Sequence, residues 1–201
     1  VLYRPANITD LCHFLRSCDR DVPKTFIGIG SNMLIRDGGV RGVVIRLGKP
    51  FGSIRVTGDK ILVGGGALDV SVAATARDHG LGGLEFLRGI PGSIGGAVAM
   101  NAGAYGRDIA DVLESAILVM PDGSYQVFDK ALFRFAYRHA ELPPGAIVVE
   151  AVLKGTSKDT AEIVKTFLKK KDQVLFFLNR RGFAPYLICK KCGHKEICLN
   201  C

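Results

Sequence analysis

An α+β fold is expected of this chain, and three observations point to it. Short β-rich runs pair across turns, and helical spacing is confined to a few stretches. A glycine-rich segment over residues 80–106 stands between the two groups of strands. Short strands mixed with a few helices belong to the α+β class.

Residues 1–5 read as a strand already under way. Asn7, Thr9 and Asp10 offer capping side chains, and Leu11, Phe14 and Leu15 recur at helical spacing, which predicts a helix there. Cys12 and Cys18 stand apart from the other cysteines and read as inert thiols, a metal site needing a fuller ligand set. Strands follow over residues 24–29 and 40–47, the second introduced by the turn Asp37-Gly38-Gly39. Residues 54–57 and 61–63 predict a hairpin across Gly58-Asp59. Gly64-Gly65-Gly66 then leads into a helix over residues 69–79, with Gly80 as its C-terminal glycine. That run has the outline of a dinucleotide-binding turn. Asp69 stands where the third glycine belongs, however, and no βαβ unit with a following acidic residue is evident, so the run reads as structural. His79 is an ordinary helix-end residue. A second hairpin is expected from residues 115–120 and 125–128 over Pro121-Asp122-Gly123-Ser124. Residues 130–135 suggest a short helix, and residues 146–153 a strong strand.

The 201 residues suffice for one or two domains with a proper core, and 48% hydrophobic content is ordinary for a globular protein. No apolar run reaches membrane-spanning length, and Arg4, Pro5 and Asp10 interrupt any leader-like pattern, so no membrane span and a cytoplasmic location are expected. The net charge of +8 is unevenly spread. Residues 1–164 carry 18 Lys and Arg against 17 Asp and Glu, whereas residues 165–201 carry 9 against 2. Of 25 glycines, 23 precede residue 165, and four of the six cysteines follow it. A simultaneous change in charge, glycine and cysteine predicts a domain boundary or a join between unrelated segments, placed near residues 155–172.

The segment 80–106 concentrates glycine among apolar residues, which an ordinary core helix would not tolerate, because each interior glycine costs about 1 kcal/mol against alanine. Two readings are open: a backbone that approaches a ligand and offers bare N–H groups, or a set of tight turns between short strands.

Three motifs stand in order: IGIGSNMLIRDGG over residues 27–39, GLEFLRGIPGSIGGAVAMNAGAYG over residues 83–106, and FAYRHAEL over residues 135–142. Together they closely resemble the UDP-N-acetylenolpyruvoylglucosamine reductases (UDP-N-acetylmuramate dehydrogenases) of peptidoglycan synthesis, over about residues 1–160. The resemblance implies a two-lobed FAD-binding domain of the vanillyl-alcohol-oxidase (PCMH) type, with FAD held non-covalently, NADPH as co-substrate and a UDP-sugar as substrate. On it, Gly28, Ile29, Gly30, Ser31, Asn32 and Met33 bind the pyrophosphate through backbone N–H groups, a task that needs no large basic cluster. Gly89, Ile90, Pro91, Gly92, Ser93, Gly95, Gly96 and Ala97, with Asn101, Ala102 and Gly103, are expected to support the other side of the pyrophosphate and the isoalloxazine. Arg138 is the implied catalytic residue, binding the substrate carboxylate and stabilising the charge that develops on it. Tyr137 is a second substrate candidate. The family usually has serine where this chain has Ala140. The family's catalytic serine segment and its C-terminal glutamate are absent from the sequence, so FAD binding with little or no turnover is expected.

Residues 161–201 form a second segment, basic at first and then carrying Cys189, Cys192, Cys198 and Cys201 as C-x2-C-x5-C-x2-C. Two such pairs point to zinc, because thiolates on tight turns suit tetrahedral geometry. A strand is expected over residues 174–178. This stretch resembles the zinc-binding region of the primosomal replication-restart helicase, with His194 a lesser ligand candidate. The resemblance implies zinc, with two readings open, one ion held by all four cysteines or halves of two sites. The clustering of Lys169, Lys170, Lys171, Arg180, Arg181, Lys190 and Lys191 suggests weak nucleic-acid binding. The helicase nucleotide-binding motifs are absent, and no unwinding activity is expected. An inactive fusion of the two segments is the remaining reading.

Overall fold

The computed structural model describes residues 1–157 and, beyond them, the backbone of Tyr186–Ile188 and Lys195–Ile197. The chain divides into two units, Val1–Val164 and Lys165–Cys201.

The first unit begins with a small lobe. Strand β1 (Leu2–Tyr3), helix α1 (Ile8–Ser17), strand β2 (Lys24–Ile27) and strand β3 (Val43–Arg46) form a parallel sheet in the order β1-β3-β2. Asn7 caps α1 by accepting the Asp10 N–H at 2.8 Å, as the capping residues predict. The predicted apolar stripe turns inward, with Leu11 and Leu15 buried. The predicted second strand is shorter than residues 40–47, beginning only at Val43.

The large lobe is built on β4 (Ile54–Thr57), β5 (Lys60–Gly64), α2 (Asp69–Asp78), β6 (Leu81–Gly82), α3 (Ile94–Ala99), β7 (Gly103–Ala104), β8 (Arg107–Asp108), β9 (Leu113–Val119), β10 (Tyr125–Asp129), β11 (Ile147–Lys154) and β12 (Thr156–Ser157). Five of these strands form an antiparallel sheet in the order β10-β9-β11-β5-β4. Both predicted hairpins are present, β4–β5 and β9–β10, and Gly80 closes α2 at φ +66°. Strand β12 pairs with β6, and β7 with β8.

The sheet is covered on both faces. α1 packs on one face, where Leu11, Leu15 and Ile45 meet Val119, Ile147 and Val149. On the other face Val72, Ala76, Ile94 and Val98 of α2 and α3 meet Leu118, Val148, Ala151 and Leu153. A bulge in β11 makes this possible. Val148 pairs with Leu118 and Glu150 with Ile117, leaving Val149 as the extra residue. The alternation is thereby shifted, so Val148 and Ala151 share one face while Ile147 and Val149 share the other.

The glycine-rich segment contains more helix than its composition suggests. α3 includes Gly95 and Gly96, where a loop is the expectation from helix propensity. The reason is close packing. A Cβ on Gly95 would stand 2.9 Å from the Val148 carbonyl oxygen and 3.0 Å from that of Gly65, so only glycine lets α3 sit this near the sheet. Gly64 and Gly65 lie against the Phe51 and Val148 carbonyls, in keeping with the structural reading of that run.

In the second unit β13 (Tyr186–Ile188) pairs antiparallel with β14 (Lys195–Ile197). The strand expected over residues 174–178, the basic residues Lys169, Lys170, Lys171, Arg180, Arg181, Lys190 and Lys191, and the four cysteines with His194 lie outside the described residues. Among the described residues no helix is long and apolar enough to cross a membrane, and no cluster of metal-ligating side chains occurs.

Candidate functional site

The first glycine loop leaves β2 at its C-terminal end, the end at which parallel strands present ligand sites. Residues 29–39 are exposed. Gly30 has φ +85°, and the N–H groups of Gly30, Ser31 and Asn32 have no acceptor among the described residues. The Met33 N–H makes only a 3.4 Å bond to Gly30. A run of free donors on a turn can receive an anion without any basic side chain.

Tertiary structure brings this loop onto the second one. A Cβ on Gly28 would lie 2.5 Å from the Ser93 hydroxyl, so the backbone of Gly28 rests directly on Ser93. The Asn32 amide also donates to the Met100 sulfur at 3.2 Å. Gly89 ends a 3-10 turn, Ile90, Pro91, Gly92 and Ser93 form the connection into α3, and Ser93 is buried. Gly95, Gly96 and Ala97 lie within α3. Gly95 faces the sheet and Ala97 and Ala102 are buried, so these three shape the core beneath the site, while Gly96 has open space beside it.

Asn101, Gly103, Tyr137 and Arg138 converge around a cavity of about 420 Å³. Asn101 is buried and holds φ +44°, a region asparagine tolerates better than most residues. Its amide donates to Asp108 Oδ2 at 3.0 Å and to the Ala136 carbonyl at 2.9 Å, and its oxygen accepts the Ala110 N–H at 2.9 Å. The side chain expected to touch a cofactor is thus an internal tie. It fixes the turn in which Ala136 and His139 exchange backbone hydrogen bonds. Tyr137 and Arg138 are presented at the tip of that turn, with Tyr137 90% exposed and Arg138 at φ +55°. The guanidinium lies 6.0 Å from the Tyr137 ring centre.

The same cavity contains Tyr105, Arg107, Asp108 and Asp111, which motif reasoning passed over. Tyr105 and Gly106 both have positive φ and form a two-residue turn of the I′ kind between β7 and β8. The Tyr105 ring rests on Gly89, whose Cβ would stand 2.6 Å from its Cε2. Tyr105 adopts φ +55°, a conformation rare for a bulky residue that nothing in the sequence announces. A separate cleft of about 710 Å³ opens at the C-terminal ends of the parallel strands. Ile29, Leu47 and Leu68 line it together with Arg4, Arg46 and Lys49.

A family model described as the FAD binding domain matches residues 1–129, which include the first glycine loop, the second and the Tyr105 turn. The chain belongs to the FAD-binding domain family. The reductases of two bacteria are close in sequence to this family member. The UDP-N-acetylenolpyruvoylglucosamine reductase of Erythrobacter litoralis is 52% identical over 159 residues, covering 79% of this chain and 49% of that protein. The corresponding reductase of Parvibaculum lavamentivorans is 49% identical over 165 residues, covering 82% of this chain and 53% of that protein. The chain therefore spans about half the length of the curated relatives it matches. Among solved structures, the UDP-N-acetylenolpyruvylglucosamine reductase of Thermus caldophilus superposes with a TM-score of 0.74 at 35% identity, covering 84% of this chain and 60% of that one. The 6-hydroxy-D-nicotine oxidase of Arthrobacter nicotinovorans superposes at 0.59 with 19% identity, over 78% of this chain and 36% of that one, a likeness of fold alone.

The residues of this FAD-binding domain fit such a cofactor. The donor-rich turn at Gly30, Ser31 and Asn32 suits a pyrophosphate, and the close seating of Gly28 on Ser93 excludes any larger side chain between the two loops.

Proposed function

We propose that this chain is the flavin-binding portion of a UDP-N-acetylenolpyruvoylglucosamine reductase, acting in the cytoplasm on a UDP-sugar for peptidoglycan synthesis. The observation that carries the reading is the seating of Gly28 on Ser93, which unites the two glycine loops of a FAD-binding domain at one place. The identity of about half the aligned residues with reductases of that name supports it.

Bound FAD supplies the hydride relay between NADPH and the enolpyruvyl double bond. The N–H groups of Gly30, Ser31 and Asn32 hold the pyrophosphate, and the small residues from Gly89 to Gly103 allow close approach of the backbone. The Arg138 guanidinium would pair with the substrate carboxylate and stabilise the negative charge that grows on it as hydride adds to the far carbon of the double bond, before the carbon next to the carboxylate takes up a proton. Tyr137 lies beside it as a second substrate contact. Asn101 acts through its side-chain amide, holding the turn that carries both.

The test is a visible absorption spectrum of the purified chain after FAD is added and the excess removed. Retained flavin with bands shifted from free FAD is the expected result, and NADPH should then bleach it. Loss of all flavin on removal of the excess overturns the reading.

For residues 161–201, the C-x2-C spacing and the β13–β14 ladder on either side of Cys189 and Cys192 support a zinc-binding segment with weak affinity for nucleic acid. One zinc per chain, released on thiol alkylation, together with DNA binding that falls steeply with salt, is the expected result.

A further inference from the structure

Asp69 has no part in the reading above, yet it is the most anomalous side chain among the described residues. It opens α2, is 0% exposed, and neither carboxyl oxygen has a hydrogen-bond partner among the described residues. Native proteins rarely leave a buried polar group unpaired, and such a group usually marks a functional constraint. Its location gives the constraint a direction. A Cβ on Gly92 would lie 2.6 Å from Asp69 Oδ2, so the carboxyl presses on the second glycine loop. The Asp69 N–H donates to the Gly92 carbonyl at 3.2 Å, and the next residue, Ser93, supports Gly28. One contact path therefore runs from Asp69 through Gly92 and Ser93 to the donor-rich turn.

We propose that Asp69 is a positioning residue of the cofactor site: its neutral carboxyl supports the Gly92-Ser93 turn, and its ionisation weakens binding of the cofactor's pyrophosphate. The proposal rests on the FAD reading above. Its physical basis is the absence of any compensating charge. Residues 89–96 contain no ionisable group. On α2, Arg77 and Asp78 pair with each other at the far end of the helix. In the adjoining 3-10 turn, Glu85 accepts the Gly83 N–H and Arg88 is exposed. Arg55 on β4 is also exposed, and Glu150 on β11 is in register with Ile117, on the sheet face turned toward α1. Burial pushes the Asp69 carboxyl up to about 7, so its charge changes near neutral pH. A buried anion under the loop repels a bound pyrophosphate through a medium of low dielectric. Bound FAD in turn raises the carboxyl further, and above pH 7 binding takes up a proton.

The experiment is FAD affinity of the full chain by flavin fluorescence from pH 6 to 8.5, for the native chain and for Asp69→Asn. The amide keeps the shape and cannot ionise. Native affinity is expected to fall above pH 7 by up to about tenfold per pH unit, while Asp69→Asn stays flat. Parallel profiles for the two proteins overturn the proposal and leave the FAD reading standing. Absence of FAD binding by both at every pH overturns the proposal and that reading together. Titration of the Asp69 carboxyl carbon by NMR in the native chain, with and without FAD, tests the same linkage without a variant. An upward shift on adding FAD is expected, and an unmoved titration overturns the proposal.

Discussion

The Asn101 amide donates to the Ala136 carbonyl at 2.9 Å, joining the end of α3 to the turn that carries Tyr137 and Arg138 across 35 residues of sequence. The same amide reaches Asp108, and its oxygen takes the Ala110 N–H. Asn101→Ala removes all three bonds and places alanine at φ +44°. A loss of about 2–4 kcal/mol in unfolding free energy is expected from chemical denaturation. Asn101→Asp, which keeps the acceptor but puts a carboxylate beside Asp108, should be destabilised more at pH 8 than at pH 5.

Gly28→Ala should fold and bind FAD at least tenfold more weakly, because the new methyl group is aimed at the Ser93 hydroxyl 2.5 Å away. Combining it with Ser93→Ala frees that space and should restore part of the affinity. A double-mutant cycle on FAD titrations measures the coupling, and strict additivity would show that the two loops do not bear on one another.

Gly95→Ala is expected to damage the fold itself. Its Cβ meets the carbonyl oxygens of Val148 in β11 and of Gly65 just past β5, which are backbone atoms and cannot swing away. A loss on the order of 1–3 kcal/mol follows from such overpacking, read as a lower midpoint in thermal unfolding of the ligand-free chain. Gly96→Ala, with open space beside it, is the control and should gain slightly from helix propensity.

Arg138→Ala should leave FAD affinity within about twofold, since the side chain is exposed and its guanidinium lies over the neighbouring Tyr137 ring. Binding of a carboxylate-bearing substrate should fall by one to two orders of magnitude, the range expected of a lost charge-assisted pair. Calorimetric titration separates the two effects.

Stability of the ligand-free chain should depend on Asp69 in a set direction. Burial pushes the folded carboxyl up to about 7, well above the ordinary range of an unfolded aspartate, so the unfolded chain releases its proton first as pH rises. Below pH 4 the group is neutral in both states and costs nothing. Between pH 4 and 7 stability declines, and above pH 7 the penalty is complete, on the order of 4 kcal/mol. Asp69→Asn should abolish that slope. Urea unfolding at pH 4.5 and 8 measures it.

Much of this was legible in the chain itself. The α1 cap at Asn7, the β4–β5 turn, the closure of α2 by Gly80 and the β9–β10 hairpin are local events, decided within a few residues by side-chain chemistry and backbone freedom. The order of the glycine motifs was enough to indicate the FAD-binding domain that the family match then established. The Tyr105 turn, the tie at Asn101 and the unpaired carboxyl of Asp69 were not legible. Each depends on a partner distant in sequence or on complete removal from water, and a short-range pattern records neither.

The sequence by itself determined the strands, the caps, the turns and the presence of two glycine loops, because these follow from residue-by-residue preferences. Only tertiary structure decided that Gly28 would sit on Ser93, that a bulge at Val149 would let β11 face α1 and α3 at once, and that Asp69 would be buried without a partner. Those outcomes are set by packing. The hydrophobic clusters on the two faces of the sheet fix how closely the elements approach, and the positions of the polar groups between them follow from that spacing.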